Sequence, residues 1–191
     1  MNDMNETKNK NTVRKLTASA ACLALCILLP FLSGNNPQLG SILGFMHIPV
    51  LLCGFAAGPV LAAMTGFIAP LLRFLLFQSP PFAPLPYLPV PPGIAMMFEL
   101  AVYGLVSGLL YNKLPKKTLY LYISLITAML SGRLIWGASM LIISPFYDNS
   151  FTWAAFTAGA FVVALPGIIL HIVIVPVIVM ALQKARVIVD G

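Results

Sequence analysis

The segment QSPPFAPLPYLPVPPG, Gln78–Gly93, carries seven prolines and no charge. Proline lacks the backbone donor and clashes with the preceding turn, so the segment is neither a helix interior nor a central strand. Without charge, it is a poor solvated linker as well. It reads as a stiff lid between two apolar stretches. Arg73 precedes it and Glu99 follows it, each within about two helical turns of its end. At that depth in lipid, ionisable side chains are rare and by default functional. A ligand site is therefore expected beneath the lid.

Working outward, 60% of the 191 residues are hydrophobic and 8% are charged, against roughly a quarter charged in a soluble domain. These proportions describe an all-α integral membrane protein. The length accommodates about six spans of roughly 20 residues and leaves no room for a soluble catalytic domain. The net charge of +6 does not point to nucleic acid, because Lys and Arg flank apolar runs instead of forming a patch interleaved with aromatics. Cys22, Cys26 and Cys53 fall inside apolar runs without metal-ligand spacing and read as small buried hydrophobes. The N-terminus, MNDMNETKNKNTVRKL, lacks a small-residue cleavage pattern, so the first span is expected to stay.

Six spans follow from the breaks in hydropathy. The first runs from about Leu16 to Leu32 and is followed by the polar SGNNPQ. The apolar run Ile42 to Phe77 is too long for one span and divides at Gly58-Pro59. A fourth span covers about Ile94 to Tyr111, a fifth Leu119 to Ile143, and a sixth Thr152 to Leu182, with kinks expected at Pro166-Gly167 and Pro176. Residues 1–15 are then an N-terminal tail, 16–183 a membrane-embedded binding domain and 184–191 a C-terminal tail. Three basic clusters fall on one side: Lys8 to Lys15, Lys113 to Lys117, and Lys184 with Arg186. The loops around Asn35, Pro84 and Asp148 carry no Lys or Arg, so the positive-inside rule places both termini in the cytoplasm and the lid outside.

Small residues recur four apart at Ala20 and Ala24, Gly40 and Gly44, Gly54 and Gly58, and Gly104 and Gly108. Each pair shares a helix face and lets another backbone approach; packing inside the bundle is the plain reading. Counted at about 1.5 Å per residue from the outer helix ends, Arg73 lies about 6 Å deep, Glu99 and His47 about 9 Å, and Arg133 about 16 Å. The same count puts His171 more than about 20 Å down, in the inner half. Two arginines facing one glutamate leave a positive charge to be met, and a ligand carboxylate suits the planar guanidinium fork. Tyr103 lies one turn from Glu99 and Trp136 one turn from Arg133. His47 is expected to be satisfied by a loosened carbonyl, and His171 by packing or an interhelical hydrogen bond. A metal site from His47, Glu99 and His171 would need the two histidines to converge from different depths. No phosphate loop, HExxH or GxSxG is present, so the chain is not read as an enzyme and no cofactor is implied.

Several stretches resemble the substrate-binding S components of energy-coupling factor (ECF) transporters. These are the first helix with Ala20 and Ala24, GFMHIPVLLCGFAAGP (Gly44 to Pro59), MMFELAVYGLVSGLLY (Met96 to Tyr111) and SGRLIWG (Ser131 to Gly137). The resemblance implies a six-helix, multi-pass protein of the cell membrane that binds a vitamin near the outer surface and associates with a transmembrane T component and two ATPases. It also implies that Ala20 and Ala24 dock to the T component. The arginine excess favours an anionic vitamin, with pantothenate or nicotinate ahead of thiamine, while folate, biotin and a queuosine precursor stay open. The candidate site is Arg73 or Arg133 for the carboxylate and Glu99 for hydroxyl or amide hydrogens, lined by His47, Tyr103, Trp136 and Asn36. Two rivals stand beside it: a proton-coupled secondary carrier using Glu99, and a non-transporting assembly factor whose charges are structural ion pairs.

Overall fold

A computed structural model describes residues 2–33, 42–78, 91–147 and 151–185. The lid residues 79–90, Asn36, Asp148 and Arg186 lie outside the described residues. The first helix, α1 (Asn2–Leu28), runs on through a 3₁₀ turn, Leu29–Ser33. The segment expected to be a polar tail is thus helical from Asn2 and continuous with the first span.

The division at Gly58-Pro59 is present. Helix α2 (His47–Ala57) ends at Gly58, whose φ of 93° suits glycine, and α3 (Pro59–Phe77) starts with proline in its first turn, where the missing N–H costs nothing. Helix α3 closes on Gln78 in the left-handed conformation. Helix α4 (Pro92–Lys113) again begins with proline, and α5 (Thr118–Ile143) follows the basic turn. The expected sixth span is broken. A short α6 (Trp153–Thr157) passes into a π-helical turn (Ala158–Val162), and α7 (Leu165–Lys184) restarts with Pro166 in its first turn. Pro176 sits inside the uninterrupted α7, so the main break comes from the π turn and the residues before Pro166.

Among the described residues, five stretches are long and apolar enough to cross a membrane: Asn9–Leu32, Pro59–Phe77, Pro92–Lys113, Thr118–Tyr147 and Trp153–Lys184. The expected second span differs, since α2 has 11 residues, a length of about 16 Å against a hydrocarbon core of about 30 Å. Every residue of α2 except Ala56 is buried, so its contacts are with protein on all sides. Outward-facing side chains such as Leu75, Leu119, Leu134, Leu141, Ile142 and Val162 are exposed and apolar, as a lipid-facing surface requires.

Helix α4 is the hub, packed against α2, α3 and α5. Its small residues make this packing close. A Cβ on Gly104 would lie 2.5 Å from the backbone of Ala62, one on Gly108 would lie 2.6 Å from the nitrogen of Pro59, and Gly66 meets the carbonyl of Leu100 in the same way. Helices α1 and α3 run parallel: Ser19 hydrogen-bonds Thr65, and eight residues further on each helix Arg73 donates to the carbonyl of Ile27. At the other end of the bundle Gln183 donates to the Tyr111 hydroxyl at 2.6 Å, which joins the end of α7 to the end of α4.

Candidate functional site

Four helices bring ionisable or hydroxyl-bearing side chains together in the bundle interior. Glu99, on the α4 face that also carries Tyr103, has its Oε1 3.0 Å from a terminal guanidinium nitrogen of Arg133 on α5 and 3.5 Å from His47 Nε2 on α2. Glu99 and His47 are buried, and the Arg133 side chain is 12% exposed. The Tyr103 hydroxyl interacts with both Glu99 and Arg133. Its ring lies edge-on to His47 at 5.1 Å, and Gly132 leaves room for it: a Cβ there would sit 2.7 Å from the ring.

The fourth helix contributes His171, whose ring stacks on His47 with centroids 5.7 Å apart. This corrects the expectation that His171 belongs to the inner half of the bundle. The outer end of that span is spent in α6, the π turn and the restart at Leu165, so residues counted inward from Thr152 do not measure depth. Counting from the inner ends works. His171 precedes Lys184 by 13 residues, Glu99 precedes Lys113 by 14, and Arg133 follows Thr118 by 15, giving levels of about 20, 21 and 22 Å.

A single carbonyl, which also accepts the His47 backbone N–H at 2.9 Å, meets the two rings. Gly44 has φ +57°, and its carbonyl oxygen lies 3.0 Å from His47 Nδ1 and 3.2 Å from His171 Nε2. A Cβ on Gly44 would stand 2.8 Å from His47 Nδ1, so both the backbone conformation and the space require glycine there. The carbonyl expected to satisfy His47 is thus present, and it provides the interhelical hydrogen bond expected of His171. The two rings converge on a carbonyl, and among the described residues no three His, Cys, Asp or Glu side chains are grouped to hold a metal ion. Both Gly44 and His171 escaped the sequence reading of the site. The signal for Gly44 was its place three residues before a membrane histidine, one turn from His47.

Three buried polar atoms of the cluster have no hydrogen-bond partner: His47 Nε2, Glu99 Oε1 and Arg133 Nε. The 3.0 Å contact between Glu99 and Arg133 is therefore an ion pair without hydrogen-bond alignment. A buried polar atom without a partner is costly, and three within one cluster mark a polar binding point.

The other expected site residues stand elsewhere. Arg73 is buried on α3, donates to the Ile27 carbonyl at the end of α1, and lies over the rings of Phe31 and Phe77 at 5.0 and 5.5 Å. Of the two arginines that could face Glu99, Arg133 does so, together with His47. Trp136 packs on Phe151 and Phe156. Near it, a cavity of about 350 Å³ is lined by Leu134, Gly137, Ala138, Leu141, Phe151, Thr152, Trp153 and Phe156. That cavity opens toward the apolar exterior and holds none of the ionisable groups.

A family model described as the ECF transporter substrate-specific component matches residues 14–179. The chain belongs to this family. The matched span includes every residue of the polar cluster, from Gly44 to His171. No curated protein and no solved structure matches the chain. As an ECF substrate-specific component it is a multi-pass membrane protein of a class that binds small-molecule substrates and partners with a T component and ATPases.

Proposed function

We propose that this ECF substrate-specific component captures a water-soluble anionic vitamin, pantothenate or nicotinate foremost, at the outer face of the cell membrane. A T component and two ATPases then drive its delivery inward. The carrying observation is the unpartnered Nε of Arg133 beside the unpartnered Oε1 of Glu99, both buried inside the matched family domain. Arg133 supplies the fork for the carboxylate and Glu99 accepts hydroxyl or amide hydrogens, with Tyr103 and His47 beside them. Arg73 serves the bundle instead, since the Ile27 carbonyl and two phenylalanine rings already surround its guanidinium. Asn36 and the proline lid are assigned to the outer mouth, and both termini to the cytoplasm. The basic clusters support that orientation, since Gln183 near Lys184 meets Tyr111 near Lys113 at one end of the bundle.

The small-residue face of α1 is assigned to the T component. Ala20 and Ala24 are exposed, while α1 packs inward through Cys22 and Cys26. Ala20→Leu with Ala24→Leu should leave ligand binding intact and abolish co-purification with the T component.

Mass spectrometry of small molecules released from the purified protein, followed by calorimetric titration, tests the ligand. A stoichiometric carboxylate-bearing vitamin supports the reading. A protein that releases nothing and binds no member of a vitamin panel sinks it.

A further inference from the structure

The charge that would attract an anion cannot come from Arg133 alone, because Glu99 neutralises it at 3.0 Å. Nor does it come from Arg73, which is engaged at the end of α1. The hydrogen bonds around Gly44 point to the missing charge. The Gly44 oxygen already accepts the His47 backbone N–H at 2.9 Å. Because a carbonyl oxygen only accepts, a ring nitrogen facing it is a donor, which places a proton on His47 Nδ1 at 3.0 Å and one on His171 Nε2 at 3.2 Å. A neutral His47 then presents a bare Nε2 lone pair to the carboxylate. The facing atom, 3.5 Å away, is Glu99 Oε1, and both are buried without hydrogen-bond partners. Two acceptors facing each other repel unless a proton lies between them.

We infer that His47 and Glu99 share one extra proton, that the His47–Glu99–Arg133 cluster thereby carries a net charge of +1, and that this protonated state selects a monoanionic ligand. The charge is the same wherever the proton resides. An imidazolium beside a carboxylate sums to zero, as does a neutral imidazole beside a carboxylic acid, and Arg133 adds one in either case. Loss of the proton leaves the cluster neutral. Anion binding and proton retention are then linked, each favouring the other.

The groups facing this pair come from each packed element: Glu99 and Tyr103 on α4, Arg133 on α5 and His171 on α7. Tyr103 is a neutral donor and His171 spends its Nε2 proton on Gly44, so neither supplies the proton. The side chains within ion-pair distance of Glu99 are Arg133 and His47. The inference deepens the anionic-vitamin reading by adding the proton, and it makes a claim about the free protein that does not depend on that reading.

The chain has two histidines, so ring-¹⁵N-histidine labelling of the full-length protein in lipid nanodiscs yields two imidazoles, assigned by either His171→Asn or His47→Asn. At neutral pH, His47 should show a protonated Nδ1 together with an Nε2 that is protonated or hydrogen-bonded. His171 should show a protonated Nε2. A bare Nδ1 on His47, or an Nε2 with the shift of a free lone pair, overturns the inference. Pantothenate, whose one titratable group is its carboxyl, then serves as the calorimetric probe in buffers of different ionisation enthalpy. Its affinity should be constant while the pair holds its proton and fall by about tenfold per pH unit above that titration. Affinity that stays constant while the histidine spectrum shows the shared proton being lost also overturns the linkage. If pantothenate and the other vitamins fail to bind, the ligand reading falls, while the histidine spectrum still decides the proton.

Discussion

Arg73 and Arg133 are two interior arginines with opposite circumstances. Arg73 ends its journey at the C-terminus of α1, where the helix dipole and the carbonyl of Ile27 receive it and two phenylalanine rings cover it. Arg133 faces Glu99 across α4 and α5 and keeps its Nε unpartnered. The first is complete without a ligand, whereas the second holds a polar point in reserve. A buried charge therefore shows its role by what its donors still lack, more than by its depth or residue type.

The comparison can be broken in four ways. The largest effect should come from Arg133→Met, which leaves Glu99 buried without its cation and costs about 3–5 kcal/mol in thermal stability, together with loss of vitamin binding. A variant that melts like the wild type and still binds would show that Arg133 is as self-contained as Arg73. Adding Glu99→Gln in that background should return part of the loss. The double-mutant cycle should give a coupling of about 0.5–3 kcal/mol, and strict additivity would mean that the two side chains do not interact.

Gly44→Ala forces a Cβ onto a left-handed residue 2.8 Å from His47 Nδ1. It should cost about 1–2 kcal/mol and weaken binding through the displaced imidazole. A melting temperature and an affinity both unchanged would remove Gly44 from the site. Arg73→Lys should be smallest, about 1 kcal/mol, with affinity unaltered; a loss of affinity as large as that of Arg133→Met would return Arg73 to the ligand.

Much of this was legible in the sequence. Gly58-Pro59, Pro92 and the basic turn at Lys113–Lys117 fix helix boundaries because φ, a missing N–H and charge act locally. The pairing of Glu99 with Tyr103 on one face follows from helical spacing alone. His171 was misplaced because the π turn at Ala158–Val162 breaks the even rise that a depth count assumes. Arg73 was grouped with Glu99 because depth was counted without direction. Its neighbour is the end of α1, which runs parallel to α3.

The sequence by itself determined a helical membrane protein with few interior charges and specified which residues carry them. Hydropathy and helix period are properties of consecutive residues, so they survive without a fold. Only the tertiary structure decided which arginine meets Glu99 and that His47 and His171 share one carbonyl, because partner choice depends on helix rotation and crossing. Those are set by close contacts such as Gly104 on Ala62 and Gly132 beside Tyr103, between residues far apart in the chain.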